Sequence, residues 1–162
     1  MIRHTRGLSL VEMVLTIVII SVALVASLQA FQVLSGRSSD AMVQSRALDL
    51  AQLYFDEILS HRFDEATGPY GVPAYTGACR ITDDGEDRDD YDDVDDFDEI
   101  DSESPALIDS SLAADYAGFS VSVTVTCDDS IGVNTEGAKL VQVNIVDPRG
   151  QNSIFSVYKG NY

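Results

Sequence analysis

Residues 7–34 read GLSLVEMVLTIVIISVALVASLQAFQVL, an apolar run in which Glu12 is the only charge. A helix that crosses a bilayer needs about 20 consecutive apolar residues, and this run is long enough. A carboxylate inside such a helix costs roughly 2.5–3.5 kcal/mol on insertion scales, so an acid at this place is a functional hypothesis by default. The sequence therefore predicts a membrane-spanning helix in which Glu12 has a task.

Two ordinary explanations of this run leave residues unexplained. A secretory signal has an apolar core of about 7–15 residues and a small-residue cleavage site after it, whereas this run is longer, contains Glu12 and lacks a good site of that kind. A plain membrane anchor accounts for the length and for the basic leader, but not for Gly7 and Glu12 together.

The segment Gly7-Leu8-Ser9-Leu10-Val11-Glu12 closely resembles the signal of type IV prepilins. The resemblance implies that 1–7 is a leader, that a prepilin peptidase cuts between Gly7 and Leu8, and that the new amine of Leu8 is methylated. It implies that 8–36 is the membrane and assembly helix, which contacts other pilin subunits. Because a buried charge is tolerable when it is paired, Glu12 would pair with the Leu8 amine of a neighbouring subunit. A protonated Glu12 facing lipid is the alternative.

The basic residues Arg3 and Arg6 place the leader in the cytoplasm by the positive-inside rule. The rest of the chain then faces the periplasm, where an oxidising environment permits disulfides. The two cysteines, Cys79 and Cys127, both lie in this exported part. A Cys79–Cys127 bridge is the preferred interpretation, and two free buried thiols are the alternative.

An apolar stripe continues the helix beyond the membrane run. Residues at i, i+4, i+7 and i+8 spacing from Val43 to Ile58 are apolar, so 37–64 is expected to be the amphipathic half of one long helix that packs on a globular head. The end of the helix is expected near His61–Asp64, before Gly68-Pro69.

The head, 65–162, contains three segments of strand character. Phe119–Cys127 alternates apolar and hydroxyl residues, Lys139–Asp147 and Ser153–Lys159 follow, and Asp147-Pro148-Arg149-Gly150 suits a type I turn. Sequential strands joined by loops predict an antiparallel meander packed on the helix, an α+β fold class. A long N-terminal helix embedded in a small antiparallel β-sheet is also what the resemblance implies, the pilin fold.

An acidic tract, 83–103, dominates the charge of the chain. It holds 14 acidic residues against one base, Arg88, and so carries −13 of the formal −17. Phosphate contacts need a basic surface, so no nucleic acid is expected as a partner. Four acid-acid-apolar triplets run from Asp89 to Ile100, and a period of three suits a polyproline-like chain or a 3₁₀ turn whose apolar edge docks while the carboxylates point outward.

Ca²⁺ is the candidate cofactor for this tract, because it takes about six to eight oxygen ligands and would offset the repulsion among the carboxylates. The candidate metal ligands are Asp92, Asp93, Asp95 and Asp96. The alternative is a solvated acidic loop without a metal, the usual state of a charge run.

The tract and the helix end also resemble a narrower group, the MshD-type minor pilins of the mannose-sensitive haemagglutinin (MSHA) pilus. The residues that carry this resemblance are Tyr54–Leu59, Arg62–Glu65, Cys79 and Tyr91–Phe97. It implies a minor pilin of an MSHA-like type IV pilus, acting in pilus assembly or adhesion, that meets an inner-membrane assembly platform. Its head would be periplasmic before assembly and on the cell surface afterwards.

Two further functions stay open beside this one: a minor pseudopilin of a type II secretion system, and a calcium-dependent adhesive module at a pilus tip. An enzyme is not expected. The exported part has a single histidine, His61, and the sequence shows neither a nucleophile–base motif nor a Gly-rich phosphate loop.

Overall fold

The computed structural model describes residues 9–82, 85–131 and 137–161. The predicted leader 1–7 with Gly7, the predicted new N-terminus Leu8, and Asp83 and Asp84 of the acidic tract lie outside the described residues. The fold is α+β, as predicted. Helix α1 runs from Leu10 to Ser60, and the backbone divides into a unit that ends at Met42 and a unit that begins at Val43.

The distal part of α1 buries the predicted stripe. Five of its six residues are buried: Ala47, Leu50, Ala51, Tyr54 and Ile58. The sixth, Val43, is partly buried and packs against them. These side chains share one core with the inward-facing residues of the sheet. The helix ends at Ser60, one residue before the predicted range, and the Ser60 hydroxyl donates to the carbonyl of Glu57 at 2.6 Å.

The sheet has three antiparallel strands in the order β1-β2-β3, which is the predicted meander. The strands are β1 Ser120–Asp128, β2 Ala138–Val146 and β3 Asn152–Gly160. Inward side chains alternate along β1 and β2, so that apolar residues face α1. The connection between β2 and β3 is the predicted turn, since the Gly150 N–H donates to the Asp147 carbonyl at 2.9 Å.

Short 3₁₀ helices fill the chain between α1 and β1: Pro69–Gly71, Asp96–Glu99, Pro105–Leu107 and Ser110–Ala113. The predicted disulfide is present. Cys79 and Cys127 are bonded across a sequence separation of 48 residues, with 5.8 Å between their Cα atoms. The disulfide ties the segment that follows α1 to the end of β1. The acidic tract lies between the two cysteines in sequence.

Candidate functional site

The apolar part of α1, Leu10–Leu34, is long and apolar enough to cross a membrane, with a mean hydropathy of 2.5. Its hydroxyl side chains bond within the helix, because Thr16, Ser21 and Ser27 donate to carbonyls three or four residues earlier at 2.7–2.8 Å. These bonds lower the cost of placing hydroxyls in lipid. Glu12 lies in the first turn of α1 as the one acidic residue there.

The acidic tract folds over the head instead of extending away from it. Its apolar residues Val94, Phe97 and Ile100 are buried in the main core, and Tyr91 packs edge-on against Phe97 with 5.3 Å between the ring centroids. Asp96–Glu99 form a 3₁₀ turn. The prediction that an apolar edge with a period of three docks on the head is therefore confirmed.

The tract also covers the free edge of β1. Glu103 and Val121 exchange two backbone hydrogen bonds, at 2.8 and 2.9 Å, and the Val123 N–H donates to the Ile100 carbonyl at 2.9 Å. Further along, the Val125 N–H donates to the Asp98 carboxylate at 2.7 Å. An open strand edge invites pairing with other chains, so this cover blocks one route to aggregation.

The expectation that the carboxylates of the tract point outward is wrong for three of them. Asp93, Asp95 and Asp96 are 3%, 2% and 5% exposed. Backbone donors explain two of these burials: the Asp96 carboxylate accepts the N–H groups of Asp92 and Asp93, both at 2.9 Å, and Asp93 accepts the N–H of Asp95 at 2.6 Å. Buried carboxylates persist where they are hydrogen-bonded or paired.

The third buried carboxylate pairs with a lysine that the sequence reasoning missed. Lys139, at the start of β2, is fully buried, and its Nζ lies 2.5 Å from Oδ1 of Asp95. The same Nζ donates to the carbonyl of Phe63 and sits 4.6 Å from the centroid of the Phe63 ring. Burial raises the pKa of Asp95 to about 6, against the opposing effect of Lys139.

Lys139 was detectable in the sequence. Lys139 is an even number of residues from Val141, Val143 and Ile145, which are inward-facing positions of β2. The alternation that predicts the strand therefore also places Lys139 on the buried face. An inward lysine at the end of a strand requires a buried anion, and the acidic tract supplies it.

Two arginines in the segment that follows α1, Arg62 and Arg80, form ion pairs with nearby carboxylates. Arg62 pairs with Asp92 and, at 3.1 Å, with Glu65. Arg80 pairs at 3.1 Å with Asp64, whose side chain is 2% exposed. Burial opposes ionisation of Asp64, but the hydrogen bonds from Arg80 and from a backbone N–H outweigh it and lower the pKa of Asp64.

The single base of the tract, Arg88, connects it to α1. Its guanidinium bonds both carboxylate oxygens of Glu57 at 2.8 Å and one oxygen of Glu103 at 3.2 Å. Glu103 in turn accepts the hydroxyl proton of Tyr54 at 2.8 Å. Burial and the Glu103 hydrogen bond raise the pKa of Tyr54. Arg88 also lies over the rings of Tyr91 and Phe97, 5.2 and 5.1 Å from their centroids.

The four predicted calcium ligands do not converge on one point. Asp95 faces Lys139 and Asp93 faces the backbone, whereas Asp92 and Asp96 come together with a residue outside the prediction, Glu86. Carboxylate oxygens of Glu86, Asp92 and Asp96 all lie within 4.8 Å of one another. Calcium binding stays a prediction, and these three residues are where the described part of the chain could place an ion.

Comparisons of the chain with protein-family models, with curated proteins and with solved structures find no match. A functional conclusion therefore depends on the residues of this chain alone.

Proposed function

We propose that the chain is a minor pilin subunit of an MSHA-like type IV pilus. The observation that carries the proposal is the order of features along the sequence: a Gly-Leu junction after a basic leader, a carboxylate five residues beyond the glycine, an apolar run, and an amphipathic half-helix that packs on a small sheet. An ordinary membrane anchor needs only the apolar run.

In this proposal, a prepilin peptidase cleaves between Gly7 and Leu8, and the Leu8 amine is methylated. Leu10–Leu34 holds the subunit in the inner membrane, with the head in the periplasm, until an assembly platform moves the helix into a filament of pilin subunits. There Glu12 pairs with the terminal amine of a neighbouring subunit, because an unpaired carboxylate among packed apolar helices would be costly. The head would then lie on the filament surface and act in assembly or adhesion.

Mass spectrometry of the N-terminal peptide tests the proposal, on protein from the membrane fraction and from sheared filaments of its native cell. We expect a chain that starts at N-methylated Leu8 in both fractions. A chain that still starts at Met1 would refute processing and reduce the helix to an anchor.

A matched pair of variants tests the role of Glu12. Glu12→Gln keeps the size of the side chain and removes its charge, so we expect normal processing and normal membrane levels with a loss of subunit from the filament fraction. Gln29→Glu adds a carboxylate elsewhere in the same helix. This control measures how far a charge in the apolar run changes the membrane and filament levels of the subunit when Glu12 is left in place. If Glu12→Gln protein enters filaments as well as the unchanged chain does, the pairing role is wrong.

A minor pseudopilin of a type II secretion system is the second candidate, because the same helix features would serve it. The cellular fraction separates the two. A pilin is recovered from sheared surface filaments, whereas a pseudopilin stays with the envelope and its loss abolishes secretion of exoproteins.

A further inference from the structure

The end of α1 and the end of β3 border a cavity of about 270 Å³ in the head. Basic side chains and aromatic rings line it together: His61, Arg62, Phe63, Tyr70 and Lys159. The chain has 27 acidic residues and 10 lysines and arginines, so a cavity lined by basic groups is unexpected on composition alone. A lining of this kind suits a ligand that carries a negative charge.

Lys159 is the basic residue of this cavity that lacks a carboxylate. It lies at the end of β3, directly opposite Lys139 of β2. Five other bases of the described head pair with a carboxylate: Arg62, Arg80, Arg88, Lys139 and Arg149. In the described part of the chain, the hydrogen-bond partner of Lys159 is a neutral group, the Leu59 carbonyl, to which Nζ donates at 2.9 Å.

The bond to Leu59 accounts for only part of the ammonium group. It caps a carbonyl at the C-terminal end of α1, which is a common place for a lysine. An ammonium group has three N–H donors, so two remain for other acceptors, and Lys159 lines the cavity. Burial lowers the pKa of Lys159, which shows that its charge is partly removed from water. A charge in that position is stabilised by an anion that enters the cavity.

Tyr70 marks the cavity as a ligand site in a second, independent way. Its side chain is fully exposed, and its backbone is left-handed, with φ 60° and ψ 26°. The surrounding loop imposes this conformation, because the Gly71 N–H donates to the Gly68 carbonyl at 3.0 Å and the Gly68 N–H donates to the Pro73 carbonyl at 2.9 Å. Backbone strain of this kind concentrates at ligand sites. The loop thus holds an aromatic ring in solvent beside the cavity.

We propose that the cavity binds a small carboxylic acid as its monoanion, with a ring or a short apolar body. The carboxylate would accept hydrogen bonds from the Lys159 ammonium group, and the apolar body would lie against the ring of Tyr70. The cavity is slightly smaller than the range of about 300–1,000 Å³ that is typical of drug-sized ligands, so the acid is a compact one.

The charges around the cavity favour a monoanion over a dianion such as a phosphate ester. Arg62 lines the cavity, but it already pairs with Asp92 and Glu65. These two carboxylates would repel a second negative charge on the ligand. A single carboxylate matches the one ammonium group that has no anion, and charge-assisted hydrogen bonds of this type are strong. The inference does not depend on whether the chain enters a filament.

Fluorine NMR of para-fluorobenzoate, with the purified full-length protein in nonionic detergent micelles, tests the proposal. The neutral para-fluorobenzamide has nearly the same shape and is the matched ligand control, and micelles without protein give the background. We expect the benzoate to bind about tenfold more tightly than the benzamide, because a hydrogen bond to a charged group contributes more than a neutral one. Equal affinity for the two ligands, or no benzoate binding above the micelle background, would overturn the proposal.

A pair of variants assigns the effect to Lys159. Lys159→Gln removes the charge and keeps a hydrogen-bond donor, so we expect benzoate affinity to fall about tenfold and benzamide affinity to stay. Arg46→Gln makes the same change in net charge at an exposed residue whose guanidinium donates to the Asp115 carbonyl at 3.0 Å, and it should leave benzoate affinity unchanged. Equal losses in the two variants would show that net charge is the cause and that Lys159 is not the binding group.

Two further measurements test the ring and the choice of anion. Tyr70→Asn removes the ring, and asparagine adopts the left-handed conformation more readily than most residues, so the loop should persist while both ligands bind more weakly. Unchanged affinities would contradict the role of the ring. Para-fluorophenyl phosphate should bind more weakly than the benzoate, and tighter binding would overturn the assignment of a monoanion. Because the unchanged protein compares the acid with the amide, poor folding of a variant cannot obscure the main result.

Discussion

Replacing Arg88 by methionine is expected to destabilise the head by about 3 to 4 kcal/mol, near the lower end of the cost of breaking a buried pair. The guanidinium bridges Glu57 on α1 and Glu103 at the end of the acidic tract, with bonds of 2.8 and 3.2 Å. The Glu103 side chain is only 8% exposed, so its charge would be left buried, whereas Glu57 is 28% exposed and water can solvate it in part.

The magnitude follows from these environments. Stranding a buried charge costs about 3–5 kcal/mol, a partly exposed ion pair contributes about 0–1 kcal/mol, and methionine keeps most of the apolar contact with Tyr91 and Phe97. With a urea slope of about 1.5 kcal/mol per molar, the midpoint of unfolding should fall by about 2 M. The head should remain folded in water, since domains commonly have about 5–15 kcal/mol of stability.

The shift in midpoint is measured by urea unfolding of the full-length protein in detergent micelles. Unfolding is monitored by near-ultraviolet circular dichroism of the tyrosines, because the chain has seven Tyr and no Trp. Arg149→Met is the matched control. That arginine is 45% exposed and lies 3.6 Å from Asp147. The Asp147 side chain is 6% exposed, but its carboxylate keeps the backbone N–H groups of Arg149 and Gln151 at 2.8 and 2.9 Å, so a smaller loss than that of Arg88→Met is expected.

A second substitution identifies the cause of the loss. In the Arg88→Met, Glu103→Gln double variant, the amide oxygen can still accept the Tyr54 hydroxyl proton, and no buried charge is stranded. We expect most of the lost stability to return. An Arg88→Met midpoint equal to that of the Arg149→Met control, or no recovery in the double variant, would refute the view that Arg88 acts by neutralising Glu103.

Three further predictions concern the same head. Cys79→Ser with Cys127→Ser should lower stability by about 4 kcal/mol in the loop-entropy model, seen as a lower urea midpoint; a midpoint that moves less than that of Arg88→Met would contradict it. The pKa of Asp64 is lowered in the folded head, so the stability it contributes is present above the unfolded pKa of about 3.9 and is lost as pH falls through the folded pKa. Asp64→Asn should flatten this part of the profile of stability against pH. An unchanged profile would show that Asp64 is not responsible. If the carboxylates of Glu86, Asp92 and Asp96 hold Ca²⁺, the melting temperature should rise in Ca²⁺ relative to chelator and the rise should vanish in Asp92→Asn with Asp96→Asn; identical melting in both buffers would end the calcium hypothesis.

The regular elements of the fold were predictable because each leaves a local pattern. The stripe from Val43 to Ile58 has the helical period, β1 and β2 alternate, and the Asp-Pro-Arg-Gly turn has its residues in the favoured positions. The disulfide was predictable because the sequence has only two cysteines and the expected export of the head would permit them to pair. Helix and strand ends shifted by about one residue, which is the ordinary uncertainty of such boundaries.

The acidic tract was predictable in part. Its period of three correctly indicated that Val94, Phe97 and Ile100 form one buried edge. The same pattern gave no sign that Asp93, Asp95 and Asp96 are buried too. Their partners are backbone N–H groups of preceding or neighbouring residues and a lysine on a strand far along the chain.

The sequence by itself therefore determined the apolar helix with its single carboxylate, the strands and their order, and the cysteine pair. These depend on periodicity and on composition, which are properties of the chain before it folds. Only the tertiary structure decided which carboxylate meets Lys139, which two Arg88 bridges, and which two gather near Glu86. In a run of near-identical aspartates, the chemical difference between neighbours is created by burial and by the nearest opposite charge, and both are fixed when distant segments pack together.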